Sequence, residues 1–182
     1  MKNIKSLIIL AAMAFFVSCS NSSDDTVTPP VDRSLELIGN WDAIGYTIEG
    51  NTTTIINSDE SFVTIFEGIG FEMNHFLSFS DGPRTFSNQG DYRLEVVSLD
   101  PDGVPSTQLF FIPVAEDGSW EFNNTNNTLT FMENGEERIV TILELSPTTL
   151  KFRTNIDTTV INGNTQVTTS AFEIYTYAWA GN

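Results

Sequence analysis

Short hydrophobic runs alternate with polar positions along most of this chain. From about Leu35 onward the runs are rich in threonine, valine, isoleucine and aromatic residues, a composition typical of β-strands. Several runs alternate residue by residue, which places their apolar side chains on one face of a strand. The clearest are Leu129 and Phe131, Leu150 and Phe152, and Tyr175, Tyr177 and Trp179. The pattern predicts about nine strands.

Turn signals separate these runs. Asn-Gly and Asp-Gly pairs tolerate the positive φ angles that tight hairpins require, so each predicts a turn between neighbouring strands. The pairs are Asp81-Gly82, Asp102-Gly103, Asp117-Gly118, Asn134-Gly135 and Asn162-Gly163. A meander of hairpins must protect its edge strands, and closure into a barrel removes them. We therefore predict an all-β antiparallel meander closed into a barrel of about eight strands, with a two-sheet β-sandwich as the alternative.

The segment 57–68 fits two secondary structures. Asn57 suits a helix cap, Glu60 completes a capping box, and the apolar residues that follow have helical spacing. A strand from Phe62 to Phe66 fits the same residues. The pattern leaves helix and strand open here.

The N-terminus reads as an export signal. Lys2 and Lys5 precede an apolar run from Leu7 to Val17, and the small-residue pair Ser18-Cys19 follows. The run is shorter than the roughly 20 residues that a membrane-spanning helix needs. We expect residues 1–18 to be a signal peptide, residues 19–34 a flexible tether that begins with a lipidated Cys19, and residues 35–182 a single β domain.

Two short motifs support lipidation. Phe16-Val17-Ser18-Cys19 resembles the lipobox of lipoproteins from the Bacteroidota, and Ser22-Ser23-Asp24-Asp25 resembles the acidic surface-export signal of that group. The resemblance implies a lipid anchor on Cys19 in the outer membrane, with the domain on the cell surface. Cys19 is the only cysteine, which excludes disulfides within the chain.

The β region resembles lipocalin-like domains. Leu37-Ile38-Gly39-Asn40-Trp41 resembles their Gly-x-Trp start, in which the tryptophan closes one end of the barrel. Similarity to their middle strands extends through 118–122, 129–131 and 149–152. The resemblance implies a lipocalin-like barrel that binds a small apolar or amphipathic ligand in its interior. We expect a monomer.

Inward alternation selects the candidate ligand-lining residues, which are Trp41, His75, Tyr92, Phe131 and Phe152. His75 is the only histidine and alternates with Met73 and Leu77, so it is either a hydrogen-bonding group in a cavity or a core residue satisfied by a neighbour. The 14 phenylalanines leave open a barrel that its own side chains fill.

The net charge and the scarcity of histidine and cysteine argue against several classes of function. The chain carries 24 acidic against eight basic residues, a formal net charge of −16, which argues against a nucleic-acid partner. A lone histidine supplies neither a multi-histidine metal site nor a recognisable catalytic triad, so we predict no metal, no cofactor and no catalysis. The alternative function is a surface-exposed accessory lipoprotein that recognises a glycan or an envelope protein. In that case Tyr175, Tyr177 and Trp179 would face outward as a stacking platform, whereas inward they are core.

Overall fold

The computed structural model describes residues 32–57 and 59–181. The predicted signal peptide, Cys19 and the motifs around it lie outside the described residues. The described chain forms a short 3-10 helix and nine β-strands. The elements are the helix Ser34–Leu37 and the strands β1 (Gly39–Ile56), β2 (Glu60–Phe71), β3 (Phe76–Asp81), β4 (Arg84–Leu99), β5 (Pro105–Asn123), β6 (Thr128–Glu133), β7 (Glu136–Leu145), β8 (Thr149–Asn162) and β9 (Thr165–Gly181). Within this part of the chain, no helix has the length and apolar character needed to span a bilayer.

The strands form one antiparallel sheet that closes into a ring. Each strand from β3 to β8 pairs with the next strand along the chain. The last strand, β9, pairs with β1 from Asn40 opposite Gly181 to Ile56 opposite Thr165. Both β2 and β3 lie between β1 and β4, one beyond the other, so the nine strands occupy eight positions around the ring. The predicted all-β meander closed on itself is confirmed, in a single sheet rather than the two sheets of a sandwich.

Most of the predicted turns lie between strands. Asn134-Gly135 joins β6 to β7, and both residues have positive φ angles, 50° and 87°. The prediction for Asp117-Gly118 is wrong, because both residues lie within β5. A β-carbon on Gly118 would lie 2.0 Å from the carbonyl oxygen of Met132. The glycine therefore allows β5 to approach the Met132 backbone closely and does not form a turn.

Residues 60–68 of this segment belong to strand β2, which settles the open choice between helix and strand there. Residues of β2 pair on one side with β1, as Thr52 with Thr64, and on the other with β4, as Ile65 with Leu99. Asn57, with a φ of 53°, lies in the turn before the strand. Strand β1 supplies partners from Glu60 to Ile69 and β4 adds partners from Ile65 onward, and this pairing outweighs the local helical spacing.

The ring has a closed part and an open part. Strand β5 pairs with β6 only from Ser119 to Asn123, and β8 pairs with β7 only from Leu150 to Arg153. Beyond these points the segments 105–118 of β5 and 154–162 of β8 have no strand along their facing edges in the described chain. We call the end that contains β3, β6 and β7 the closed part. The open part is the six-stranded end, in the order β5-β4-β2-β1-β9-β8.

Aromatic and aliphatic side chains fill the closed part. Phe131 lies near the centre, with its ring centroid 4.7 Å from that of Phe86 and 6.1 Å from those of Phe79 and Phe152. At the end of the ring, Trp41 Nε1 donates to the carbonyl oxygen of Leu37 at 2.8 Å, which holds the 3-10 helix against the core. Other fully buried members are Leu77, Leu129, Val140 and Leu150.

Candidate functional site

Four tyrosines gather inside the ring where the closed part meets the open part. Tyr46 of β1 lies opposite Tyr175 of β9, with ring centroids 4.8 Å apart. Tyr92 of β4 lies 5.1 Å from Tyr46, and Tyr177 stacks on Tyr175 at 6.3 Å. We call these four residues the tyrosine cluster. It forms a largely aromatic layer above the apolar core.

His75 completes this layer from the break between β2 and β3. Its ring centroid lies 5.3 Å from that of Tyr92 and 5.8 Å from that of Tyr177. The backbone holds the break in place, since Ala43 N donates to His75 O at 3.0 Å. Gly90 of β4 makes this packing possible, because a β-carbon there would lie 2.2 Å from the carbonyl oxygen of Asn74.

Two carboxylates lie next to the tyrosine cluster. Tyr46 Oη donates to Glu173 Oε1 at 2.7 Å, and burial raises the pKa of Glu173 above its ordinary value. Glu116 accepts from Asn88 Nδ2 at 3.1 Å and from Arg138 Nη2 at 2.9 Å. The Glu116–Arg138 pair links β5 to β7 just above the short β6.

Several buried polar atoms in this layer have no hydrogen-bond partner among residues 32–57 and 59–181. They are Nδ1 and Nε2 of His75, Oη of Tyr177, Oδ1 of Asn88 and Oγ1 of Thr154. All four residues are at least nine-tenths buried. An unsatisfied buried polar group costs about 1–3 kcal/mol. Their concentration near the tyrosine cluster calls for an explanation, because buried polar groups are usually paired.

The electrostatic setting keeps His75 neutral. Burial lowers the pKa of the imidazole, while the carboxylates of Glu116 and Asp91 oppose that shift. A neutral imidazole offers one donor and one acceptor nitrogen. Together with the Tyr177 and Thr154 hydroxyls, the layer contains both donor and acceptor groups.

An apolar wall rises from the tyrosine cluster into the open part. Half-buried residues of the inner face pack against Tyr46, Tyr92 and Leu94. They are Ile48, Val96, Ile112 and Val114. The inner surface is therefore polar at the bottom of the open part and apolar above it.

The five predicted ligand-lining residues divide into two groups. His75 and Tyr92 lie in the layer that the tyrosine cluster forms. Trp41, Phe131 and Phe152 belong to the filled core of the closed part, although Phe152 also stacks on Tyr177 at a centroid distance of 5.7 Å. The outward alternative for Tyr175, Tyr177 and Trp179 is wrong, because Tyr177 is 1 % exposed and the other two pack against the core.

Sequence reasoning missed Tyr46, Asn88, Thr154 and Glu173. Simple alternation from Trp41 would turn Tyr46 outward, but a bulge between Ala43 and Gly45 shifts the register by one residue and turns it inward. The glycine at the bulge is the signal that was available. Glu173 was indistinguishable from the other acids in the sequence.

A separate cleft of about 710 Å³ lies on the outer face of the open part. Two adjacent cross-strand rows of outward side chains border it. One row is Val97, Glu67, Glu49, Phe172 and Asn155, and the other is Leu99, Ile65, Asn51, Ser170 and Asp157. None of the five predicted ligand-lining residues borders this cleft.

In the described ranges, no group of three or more histidine, cysteine, aspartate or glutamate side chains is arranged to hold a metal ion. Comparison with known proteins adds no functional assignment: no protein-family model, no curated protein and no solved structure matches this chain.

Proposed function

We propose that this chain is a lipid-anchored outer-membrane lipoprotein whose ring of strands binds a small amphipathic ligand without catalysis. The observation that carries the proposal is the set of unpartnered buried polar atoms of His75, Tyr177, Thr154 and Asn88 beside an apolar wall. The anchor rests on the sequence around Cys19.

The two kinds of surface assign the two ends of the ligand. Its polar end hydrogen-bonds to His75, Tyr177 and Thr154, which recovers the cost of leaving those groups unpaired. Its apolar body lies along Ile48 and Val96, where each square ångström removed from water contributes about 25 cal/mol. The ligand reaches this position through the open part, between the unpaired edges of β5 and β8.

The surroundings of His75 support the choice of binding over catalysis in this proposal. Catalytic histidines are oriented by a hydrogen-bonded partner and contact the group whose proton they move. Neither ring nitrogen of His75 has such a partner among the described side chains. The alternative of glycan recognition loses its stacking platform, because Tyr175 and Trp179 face the interior.

Native mass spectrometry of the protein purified from a bacterial host tests the proposal. All residues that build the ring lie between Asp32 and Gly181, so a non-lipidated form that begins at Ser20 retains the entire fold. We expect a stoichiometric ligand that organic extraction releases and that a second mass measurement identifies as amphipathic.

A double variant, Tyr177→Phe with Thr154→Val, removes two polar atoms with little change of shape. We expect ligand retention to fall about tenfold, which corresponds to roughly 1.4 kcal/mol. Thr141→Val, on the outer face of β7, is the matched control and should retain the ligand in full. A ligand-free protein that also takes up no fluorescent fatty acid or fatty amine would refute the proposal.

A further inference from the structure

We infer that the outer cleft of the open part is a second binding site and that it takes an amphipathic organic cation, an ammonium group on an apolar body. The site does not depend on the proposed interior site, because the two lie on opposite faces of the same sheet. Its volume of about 710 Å³ is within the range of small-molecule sites, about 300–1,000 Å³.

Exposed apolar side chains lie inside the concavity. Ile65 of β2 and Leu99 of β4 are directly opposite each other in the sheet and are 59 % and 41 % exposed. Val97 and Phe172 are half-buried beside them. An apolar body placed on these four side chains would remove them from water, which is the favourable term for a ligand here.

Uncompensated carboxylates set the sign of the ligand charge. Glu49 of β1 lies directly opposite Glu67 of β2, and neither belongs to an ion pair in the described part of the chain. Like charges at directly opposite positions destabilise a sheet. An ammonium group between them replaces this repulsion with two attractions, so the cleft favours a cation over an anion of the same shape.

The opposite wall of the cleft leaves this preference in place. Asp157 of β8 adds a third carboxylate, which accepts a hydrogen bond from Ser170 Oγ at 2.8 Å. The nearby cation is Arg153, whose guanidinium lies 5.8 Å from the Phe172 ring centroid. Because Phe172 lies directly opposite Glu49 in the sheet, Arg153 lies near these carboxylates, and its single charge offsets only one of the three. The net charge of −16 further repels anionic ligands.

The test compares three ligands that share one octyl chain: octyltrimethylammonium, octyl sulfate and octyl glucoside, each below its micelle-forming concentration. Amide chemical shifts of the 15N-labelled protein beginning at Ser20 give both the dissociation constant and the location. We expect octyltrimethylammonium to bind at least about tenfold more tightly than octyl sulfate. The shift changes should lie in the segments 49–51, 65–67, 97–99, 155–157 and 170–172.

Two double variants separate the cleft from the overall charge. Glu49→Gln with Glu67→Gln should weaken octyltrimethylammonium about tenfold. Asp117→Asn with Glu121→Gln removes the same charge from exposed outward positions on β5 and should leave the affinity unchanged. Equal losses in the two variants, equal binding of the cation and the anion, or shifts confined to the tyrosine cluster would each overturn the inference. The last outcome would assign the cation to the interior instead.

Discussion

The closed and open parts of the ring share one alternating pattern but bury their side chains very differently. In the closed part Trp41, Leu129 and Leu150 have no exposed surface. In the open part the inward positions are much more exposed: Phe110, on β5, is 41 % exposed and Val160, on β8, is 62 % exposed. The difference lies in the partners, since β6 and β7 complete the wall of one part and end before the other. Stability is thus concentrated in the closed part, and the open part keeps apolar surface available for binding.

Truncation of one aromatic ring in each part gives the largest contrast. Phe131→Ala should lower the free energy of unfolding by about 3–5 kcal/mol, because Phe131 is 2 % exposed at the centre of the core. Phe110→Ala should cost less than about 2 kcal/mol, since Phe110 occupies an inward position of the open part and is 41 % exposed. Urea unfolding followed by tryptophan fluorescence measures both. Similar losses would mean that the two parts contribute equally to stability.

Two variants test the tyrosine cluster, and we expect only one of them to destabilise the protein. Tyr46→Phe should destabilise by about 1–3 kcal/mol, because it leaves the buried Glu173 carboxylate without its donor. Tyr177→Phe should leave stability unchanged or raise it by up to about 1 kcal/mol, since it deletes a hydroxyl that has no partner among the described residues. Both are measured on ligand-free protein by urea unfolding. A large loss for Tyr177→Phe would show that its hydroxyl is hydrogen-bonded in solution.

Acid should lower the free energy of unfolding through protonation of His75. Because its folded-state pKa is lowered, the unfolded chain takes up the proton first as pH falls below about 6.5. The stabilising contribution of neutral His75 is present above that pH and is lost as pH falls through the lower folded-state pKa. His75→Gln should therefore lose less stability than the wild type between pH 7.5 and pH 5.5.

Glu173 has a linkage of opposite sign. Its folded-state pKa is raised from 4.5, so its contribution is complete below pH 4.5 and is lost as pH rises through the higher folded-state value. A Glu173→Gln background removes this term and isolates that of His75. An identical pH dependence with and without His75 in this background would contradict the assignment.

The smallest expected effect concerns the outer face of the open part. Glu67→Gln should raise the free energy of unfolding by about 0.2–1 kcal/mol, because it relieves the repulsion from Glu49 directly opposite. Glu121→Gln, on the outer face of β5 in the closed part, is the control and should change little. A loss of stability in Glu67→Gln would indicate that the two carboxylates are not in repulsive contact.

Local signals predicted the strand pattern well because hairpins are local structures. Asn134-Gly135 and Asn162-Gly163 lie at turns, and Leu129, Phe131, Leu150 and Phe152 all face inward, as alternation predicted. These outcomes depend only on backbone freedom and on the two-residue period of a strand.

The candidate site was less predictable because it depends on interruptions of that period. The bulge before Tyr46 and the break that carries His75 each change which side chains face inward. Similarly, the short pairing of β5 with β6 creates the open part, and strand length alone does not reveal it. Such features arise from contacts between segments far apart in sequence, for which a single sequence gives only weak signals such as Gly45 and Gly90.

The pairing of β1 with β9 also governs how the molecule forms. It joins the first and last strands along nearly their whole length, so ring closure brings together segments that are far apart in sequence. This closure costs conformational entropy before the contacts between the two strands can form. Folding on the millisecond-to-second scale follows from such topology. A chain that emerges N-terminus first keeps β1 with a bare edge until its final residues arrive, and during that interval it is most vulnerable to aggregation.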